Sequence, residues 1–454
     1  MITKITSDMI SDNKLIYITT HLPPHLSAAS IRAEKNIKYL SELGWEIDVI
    51  TPYISNCNFL SSSKDIEKGN IRIHYPFPLD LKLDGIKIKL FKLLNYISRN
   101  RDKNHTNKIN KRITSSRESY NRISDFLLID KWLFWIIPCT IKVISIIIRK
   151  KHKIIYTSTP SPTCVISGLI SSLIFNKRLV IEYRDLWTLN PFNRDYKNNI
   201  ILIIKNIIER AIEKISLNYA SMIVIINKGF KDEIYHALKI KESNKFIIIP
   251  NGYDPQDFID IKDISKNRNN LKKNLKISHI GSLYEQRNIF NYIKAVTEYK
   301  DLCNINTLLI GHIDEKHKRL IKSKNNKRIK LISQVKHKES LDLMRDSDIL
   351  LLAPGAGINT LTSKLFEYMY SQKPILCITK RNTITAKIIT KYRLGAIADP
   401  DSSLGIYEAI KEIIANQKYI EESYKENQFK EYINRFNRRN NISILSKKLS
   451  KLNY

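Results

Sequence analysis

Short runs of β-branched and other apolar residues alternate with longer stretches of helical periodicity from one end of this chain to the other. This alternation is the strongest constraint on the fold. Parallel strands buried on both faces read as unbroken Ile, Val and Leu runs, and each pair needs a crossover, usually a helix. In the first half the runs predict strands at Leu15–Thr19, Glu46–Thr51, Ile71–Tyr75, Ile154–Thr157, Leu179–Glu182, Met222–Ile226 and Phe246–Ile249. In the second half they fall at Ile277–Ile280, Thr307–Ile310, Ile329–Ile332, Asp348–Leu352, Ile375–Ile378 and Ala396–Ala398. An α/β chain with two similar sheets follows, and 454 residues suffice for two such domains of about 200 residues each.

The polar stretch from Asp254 to Asn274, rich in Asp, Lys and Asn, reads as the linker between them. The expected organisation is a Rossmann-like domain over 1–253, a second over 275–417, and C-terminal helices over 418–454 that pack over the domain junction. A basic insert near 80–124 interrupts the first domain, and a long insert of this kind carries function or disorder. Two such domains facing a central cleft would aim the carboxyl ends of both sheets, where helix N-termini bind phosphate, at one ligand.

With 76 Lys and Arg against 44 Asp and Glu, the chain carries a formal charge of +32. That field attracts phosphate-rich molecules and anionic membrane surfaces. The densest basic run, Lys87 through Arg122, has few aromatics and no base-reading motif, so no nucleic-acid partner is expected. Cys57, Cys139, Cys164, Cys303 and Cys377 are scattered, without metal-binding spacing, and read as reduced residues of a cytoplasmic protein. No apolar run precedes the first strand, so no secretory leader is expected. The stretch Trp132–Ile148 contains Pro138 and Lys142 and is short for a membrane span; it predicts an amphipathic or buried helix, with peripheral membrane contact favoured by nearby aromatics and lysines.

The most informative segment runs from Gly355 to Met369. A strand ends at Leu352, a Gly-containing loop follows, and Thr362 or Ser363 stands where it can cap a new helix. The start of that helix offers backbone N–H groups to a diphosphate, and Glu367, one turn in, can accept from ribose hydroxyls. Read by itself, the same segment is equally a capped helix with a surface glutamate. Acidic pairs occur at Asp346/Asp348 and Asp399/Asp401 but read as turns flanking strands, so no metal is expected. A phosphate-binding Walker loop and the G-x-G-x-x-G fingerprint are both missing from the sequence, which lowers NTPase and dehydrogenase readings.

At these residues the sequence resembles glycosyltransferase family 4, retaining enzymes of GT-B fold, and in particular bacterial members that build surface polysaccharides. Ser363-Lys364-Leu365-Phe366-Glu367-Tyr368 with Pro374-Ile375 is similar to the family's S-K-L-x-E-Y pattern. Asn251-Gly252-Tyr253-Asp254 resembles the motif that closes the N-terminal domain. Thr157-Ser158-Thr159-Pro160 and Arg184-Asp185-Leu186-Trp187 resemble two loops of that domain. His279 to Asn288 resembles the loop G-R-L-x-x-x-K-G, with Gly281 letting backbone approach the donor, Arg287 at the lysine position and Ser282 in place of the arginine. The E-x7-E motif is half present: Glu367 is its second acid, and Asn359 stands where the first would face the transferred sugar.

The resemblance implies a cytoplasmic hexosyltransferase, peripheral at the inner face of the cell membrane, that uses a UDP- or GDP-sugar without cofactor or metal. It would act with retention on a growing glycan or lipid-linked acceptor for O-antigen, capsule or exopolysaccharide. Donor binding would fall to Gly281, Arg287, Asn359, Thr360, Leu361, Ser363, Lys364 and Glu367, with Arg287 also stabilising the departing diphosphate. Ser27, Arg32, Arg184 and Asp185 would lie on the acceptor side, with Asp185 taking the acceptor's proton. An Arg184–Asp185 pair that only holds its loop is the competing reading. A nucleotide-sugar epimerase of the same fold, or a non-catalytic basic protein binding polysaccharide or nucleic acid, are the rival functions. Isomerisation without acceptor would mark the former, and failure to bind nucleotide the latter.

Overall fold

The computed structural model describes residues 13–23, 27–52, 69–77, 130, 132–159, 161–190, 200–259, 274–284, 287–324, 326–355, 357–359 and 361–453. The basic insert near 80–124 and most of the Asp254–Asn274 segment lie outside the described residues. The chain forms two compact units, residues 1–248 with 446–454, and residues 249–445.

The first unit is built on a seven-stranded parallel sheet of order β3-β2-β1-β4-β5-β6-β7. Its strands are β1 (Lys14–Ile18), β2 (Glu46–Ile50), β3 (Ile71–His74), β4 (Ile154–Ser158), β5 (Arg178–Tyr183), β6 (Met222–Ile225) and β7 (Phe246–Ile248). Helices α1 (Ala28–Glu42), α2 (Ile136–Lys150), α3 (Pro162–Phe175), α4 (Ile200–Tyr219) and α5 (Lys228–Leu238) connect or precede them. Apolar residues fill both faces of the central strands, as a sheet covered by helices requires. Helix α3 starts with Pro162 in its first turn, where the missing N–H costs nothing. Asp130 accepts there from the Ser161 hydroxyl at 2.6 Å and from Thr163 N at 3.3 Å.

This sheet buries two carboxylates on its strands, Asp48 and Glu182. Asp48 on β2 is fully buried and meets His74 Nε2 at 2.6 Å, Lys150 Nζ at 2.7 Å and His152 Nε2 at 3.1 Å. Burial alone would raise its pKa, but these partners overcome that and hold the carboxylate far below its usual range.

The apolar stretch Trp132–Ile148 forms a short 3-10 turn, Leu133–Trp135, and then α2, with Pro138 tolerated in the first turn. Cys139, Val143, Ile146 and Ile147 face the core while Ile137, Ile141 and Ile148 are exposed, so the helix is amphipathic. Among the described residues no helix is long and apolar enough to cross a membrane.

The second unit contains a six-stranded parallel sheet of order β10-β9-β8-β11-β12-β13. The strands are β8 (Leu275–Ile280), β9 (Ile305–Ile310), β10 (Ile329–Ile332), β11 (Ile349–Leu352), β12 (Ile375–Ile378) and β13 (Gly395–Ala398). Its helices are α6 (Phe290–Glu298), α7 (Glu315–Ser323), α8 (His337–Arg345), α9 (Ser363–Tyr370), α10 (Ile384–Lys391), α11 (Ser403–Ala415), α12 (Gln417–Ser423) and α13 (Asn427–Asn434), followed by α14 (Arg438–Ser450). All thirteen strands read from the sequence are present, with ends shifted by at most two residues. The strand order is that of doubly wound nucleotide-binding folds, in which connections run outward in both directions from a central switch.

One boundary differs from the sequence reading. Asn251-Gly252-Tyr253-Asp254, expected to close the first domain, belongs to the second unit. Tyr253 stacks on Tyr370 with ring centroids 4.1 Å apart, and its N–H donates to Phe436 O at 3.1 Å. Gly252 is required by close approach, since a Cβ there would come within 1.8 Å of Phe436 O. Residues 438–445 of α14 group with the second unit and 446–450 with the first, where Trp45 Nε1 donates to Ser446 Oγ at 2.8 Å.

Candidate functional site

In open α/β sheets the strand order reverses at one point, and loops diverging from the carboxyl ends there leave a crevice for ligands. In the second unit that point lies between β8 and β11, and these strands deliver the two segments the sequence singled out for donor binding. After β8, Gly281 adopts φ 153° and Gly311, after β9, adopts φ 127°. A Cβ on Gly311 would fall 2.4 Å from Gly281 O, so Gly311 must be glycine for the two turns to meet, while Gly281 needs glycine for its positive φ. The Leu283 N–H donates to His312 O at 2.8 Å and extends the pairing beyond the strands.

Arg287 follows on this loop. Its guanidinium lies over the Tyr284 ring, 5.4 Å from the centroid, its Nε is buried without a hydrogen-bond partner, and it has no carboxylate among the described residues. It lines a cavity of about 480 Å³ together with Gly355, Ile358, Lys380 and Thr383. The loop is pinned at its end by His317, fully buried, whose Nδ1 meets Asp314 at 2.6 Å. His317 Nε2 accepts from Ile289 N at 3.2 Å. That acceptor role requires a neutral imidazole with its proton on Nδ1.

The β11 loop leads to α9. Thr362 occupies the N-cap position with extended backbone, yet its side chain caps nothing, and its buried Oγ1 has no partner. The sequence expected Thr362 or Ser363 to cap this helix; instead the first N–H groups of α9 carry no side-chain cap and remain available to an anion. Glu367 is 4% exposed, so it is no surface glutamate. Its Oε2 accepts from Lys364 Nζ at 2.6 Å, the (i, i+3) spacing of neighbours on one helical face. Burial acts to raise its pKa, but Lys364, with His337 and Arg438 beyond it, holds it below the usual carboxylate range. The carboxylate is therefore ionised at neutral pH. Leu361 packs against the core, Asn359 is exposed beside it, and Thr360 lies outside the described residues.

A residue that sequence reasoning gave no role completes this region. His279, 4% exposed on β8, donates from Nδ1 to Leu351 O at 2.9 Å, while its buried Nε2 has no partner and would lie 3.5 Å from a Cβ at Gly281. Burial pushes its pKa down to about 4, and Arg287 and Lys364 push the same way. A neutral histidine under a glycine loop, an arginine without a carboxylate partner among the described residues and an uncapped helix start form a region that favours negative charge. A histidine inside an apolar strand run was the available signal.

In the first unit the corresponding switch lies between β1 and β4. Here the residues expected on the acceptor side are engaged with the protein. Ser27 caps α1, accepting from Ser30 N at 3.1 Å. Arg32, expected to meet an anionic ligand, is 3% exposed, and its Nε donates to Glu182 Oε1 at 2.8 Å. Asn36, Ser158 and Tyr17 also donate to Glu182. Arg184 forms an ion pair with Asp185, whose side chain is 43% exposed against 17% for Arg184, so Asp185 is the more accessible member of the pair. Asp399 and Asp401 both pair with Lys380, at 2.9 and 2.7 Å. Among the described residues no cluster of potential ligands could hold an ion.

Comparison with known proteins places this geometry. Residues 260–452 match the family described as glycosyl transferases group 1. No curated protein matches the sequence. Sucrose-phosphate synthase from Thermosynechococcus elongatus is similar in structure, with TM-score 0.66 and 14% identity over 97% of this chain and 99% of that one. HepE from Anabaena, solved with UDP and glucose, gives 0.63 and 13% over 96% and 99%. WaaG, a glycosyltransferase involved in lipopolysaccharide biosynthesis, gives 0.59 and 12% over 96% and 99%. Residues 260–452 thus match the group 1 glycosyl transferases, and the chain as a whole has the GT-B fold of two parallel α/β units.

Proposed function

We propose that the protein transfers a sugar, with retention of configuration and without a metal, from a UDP- or GDP-linked donor to a growing glycan or lipid-linked acceptor. The pathway is cell-surface polysaccharide synthesis at the cytoplasmic face of the membrane, where the basic insert is drawn to anionic lipid. The observation that carries this reading is the β8/β11 switch point. An uncapped helix start, an ionised buried Glu367 and an Arg287 without a carboxylate partner among the described residues all lie inside the segment matched to glycosyl transferases. The neighbours HepE, with UDP and glucose, and WaaG support the same class of donor and product.

In the reaction, the bond between the anomeric carbon and the diphosphate oxygen breaks as the acceptor oxygen bonds to the same face of the sugar. Arg287 and the N–H groups of α9 stabilise the charge growing on the departing diphosphate. Glu367 holds the ribose hydroxyls through the oxygen not bound to Lys364. Asp185 accepts the acceptor's hydroxyl proton.

The test is calorimetry with UDP, GDP, ADP and their sugars, followed by a transfer assay. The parent protein binds one nucleotide series, and Glu367→Gln, which keeps the side chain's shape, weakens that binding by about 1.5–3 kcal/mol. Absence of any nucleotide binding, or equal affinity in the variant, overturns the donor-site assignment. Sugar isomerisation without acceptor would replace the transferase by an epimerase.

A further inference from the structure

Helices α2, α3 and α4 pack side by side, α2 on α3 and α3 on α4, and contribute to one core. They serve three successive steps across the sheet in one direction, from β3 through β4 and β5 to β6, so right-handed crossovers put all three on one face. The side of this layer turned away from the core is unusual. Half of the large apolar side chains exposed among the described residues stand on these three helices.

They are also ordered. On α4, Ile204, Ile207, Ile208 and Ile215 are exposed, and on α2, Ile137, Ile141 and Ile148. Both sets span eleven residues from first to last, three helical turns, which returns nearly to the same azimuth and makes each a single stripe. Leu173 and Ile174 at the end of α3 are exposed between them. An ordinary soluble surface scatters such residues singly.

On these three helices the accessible charges have one sign. Helices α2 and α3 contain no Asp or Glu, and the two glutamates of α4, Glu209 and Glu213, are buried. Lys142 and Arg149 on α2 and Arg210 and Lys214 on α4 supply the accessible charge. Isoleucine stripes flanked by cations, with the carboxylates turned inward, are the pattern of helices lying in a membrane interface. Their apolar side enters the acyl boundary and the basic side chains reach the headgroups.

We propose that the outer face of α2, α3 and α4 docks the protein on an anionic lipid bilayer. A second copy of this chain would set cationic face against cationic face, and the basic insert of the same chain would add like charge, so charge complementarity selects lipid. The inference deepens the proposed function by naming the surface that brings the enzyme to a lipid-linked acceptor. It differs from attraction by the basic insert, because an apolar stripe binds with a component that salt does not screen.

The experiment is flotation of the full chain with phosphatidylcholine vesicles, with and without phosphatidylglycerol, at low and high salt and without nucleotide. The parent floats with anionic vesicles and keeps part of its binding at high salt. The variant Ile204→Ser/Ile207→Ser/Ile208→Ser loses binding by about tenfold or more. A control variant, Leu331→Ser/Ile444→Ser, which removes exposed apolar side chains elsewhere, floats like the parent. Circular dichroism melting of each variant establishes that the fold is retained. Unchanged flotation of the triple variant overturns the proposal, and so does a lipid-free dimer that the triple variant abolishes. Calorimetry with nucleotide on the same samples separates the two readings: vesicle binding without nucleotide binding sinks the transferase alone, and nucleotide binding with isoleucine-independent flotation sinks the docking face alone.

Discussion

Beyond β4 and β5 of the first unit a buried carboxylate gathers most of the polar side chains around it, although Arg184 Nε is buried without a partner among the described residues; beyond β8 and β11 of the second, no such centre gathers them. Glu182 receives Arg32, Asn36, Ser158 and Tyr17, four donors for one buried carboxylate, and burial's upward push on its pKa is overcome by Arg32 and these hydrogen bonds. In the second unit the Thr362 hydroxyl, His279 Nε2 and Arg287 Nε are buried without partners. Unsatisfied buried polar groups cost free energy, so their concentration at a switch point is economical only where a ligand completes them. The difference teaches that position in a doubly wound sheet does not by itself make a binding site. What matters is whether side chains near the switch already satisfy each other.

The largest expected effect tests the satisfied side. Arg32→Met leaves Glu182 buried without its cation and should cost about 3–5 kcal/mol of stability, measured by urea unfolding. If stability survives and affinity for the acceptor is lost instead, Arg32 serves a ligand and the contrast between the units fails.

Next in size is Asp185, whose side chain is the more exposed of the Arg184–Asp185 pair. Asp185→Asn should lower sugar transfer by roughly 100-fold or more while leaving donor affinity intact. Arg287→Ala should lower turnover more than it lowers ground-state donor binding, because the diphosphate's charge grows as its bond to the sugar breaks. Identical failure of the two variants would erase the division into donor and acceptor sides. Transfer at the parent rate by Asp185→Asn would reduce the Arg184–Asp185 pair to a loop brace.

The smallest effect sharpens the comparison within the first unit, where Glu209 is less well satisfied than Glu182. Burial raises its pKa to about 7, with Glu213 and Asp130 adding to the shift and Lys205 opposing it. The folded protein therefore holds a proton that the unfolded chain releases at its ordinary, lower pKa. The stabilisation is complete below the unfolded value of 4.5 and is lost as pH rises through about 7. Melting temperature should fall by a few degrees across that window, and Glu209→Gln should flatten this part of the curve. An unchanged slope in the variant would show that Glu209 ionises normally.

The strands were legible because a strand buried on both faces needs a short run of apolar residues bounded by polar or turn residues, whereas an apolar run that continues into helical periodicity, as at Ile200–Ile204, becomes a helix. Lys364 and Glu367 were each named for donor binding, but their pairing with one another, at the three-residue spacing of neighbours on one helical face, came only from the structure. Gly281 was read as the place where backbone approaches the donor; the close approach of the turn at Gly311 to its carbonyl was not legible.

What only the tertiary structure decided are the pairings between distant residues. Arg32 and Glu182 are 150 positions apart, and each alone looks like a charge available to a ligand. His279 is one histidine in an apolar run until Leu351, 72 positions away, takes its Nδ1 proton and leaves Nε2 bare. Asn251 to Asp254 looked like the end of one domain, yet Phe436, contributed from near the chain's end, draws Tyr253 into the other. The sequence by itself determined which segments become strands and in what order their loops arise, since burial and local periodicity act over a few residues. Which loops become neighbours, and which of their charges remain for a substrate, depends on the strand order and on contacts across the whole fold, and no local pattern encodes either.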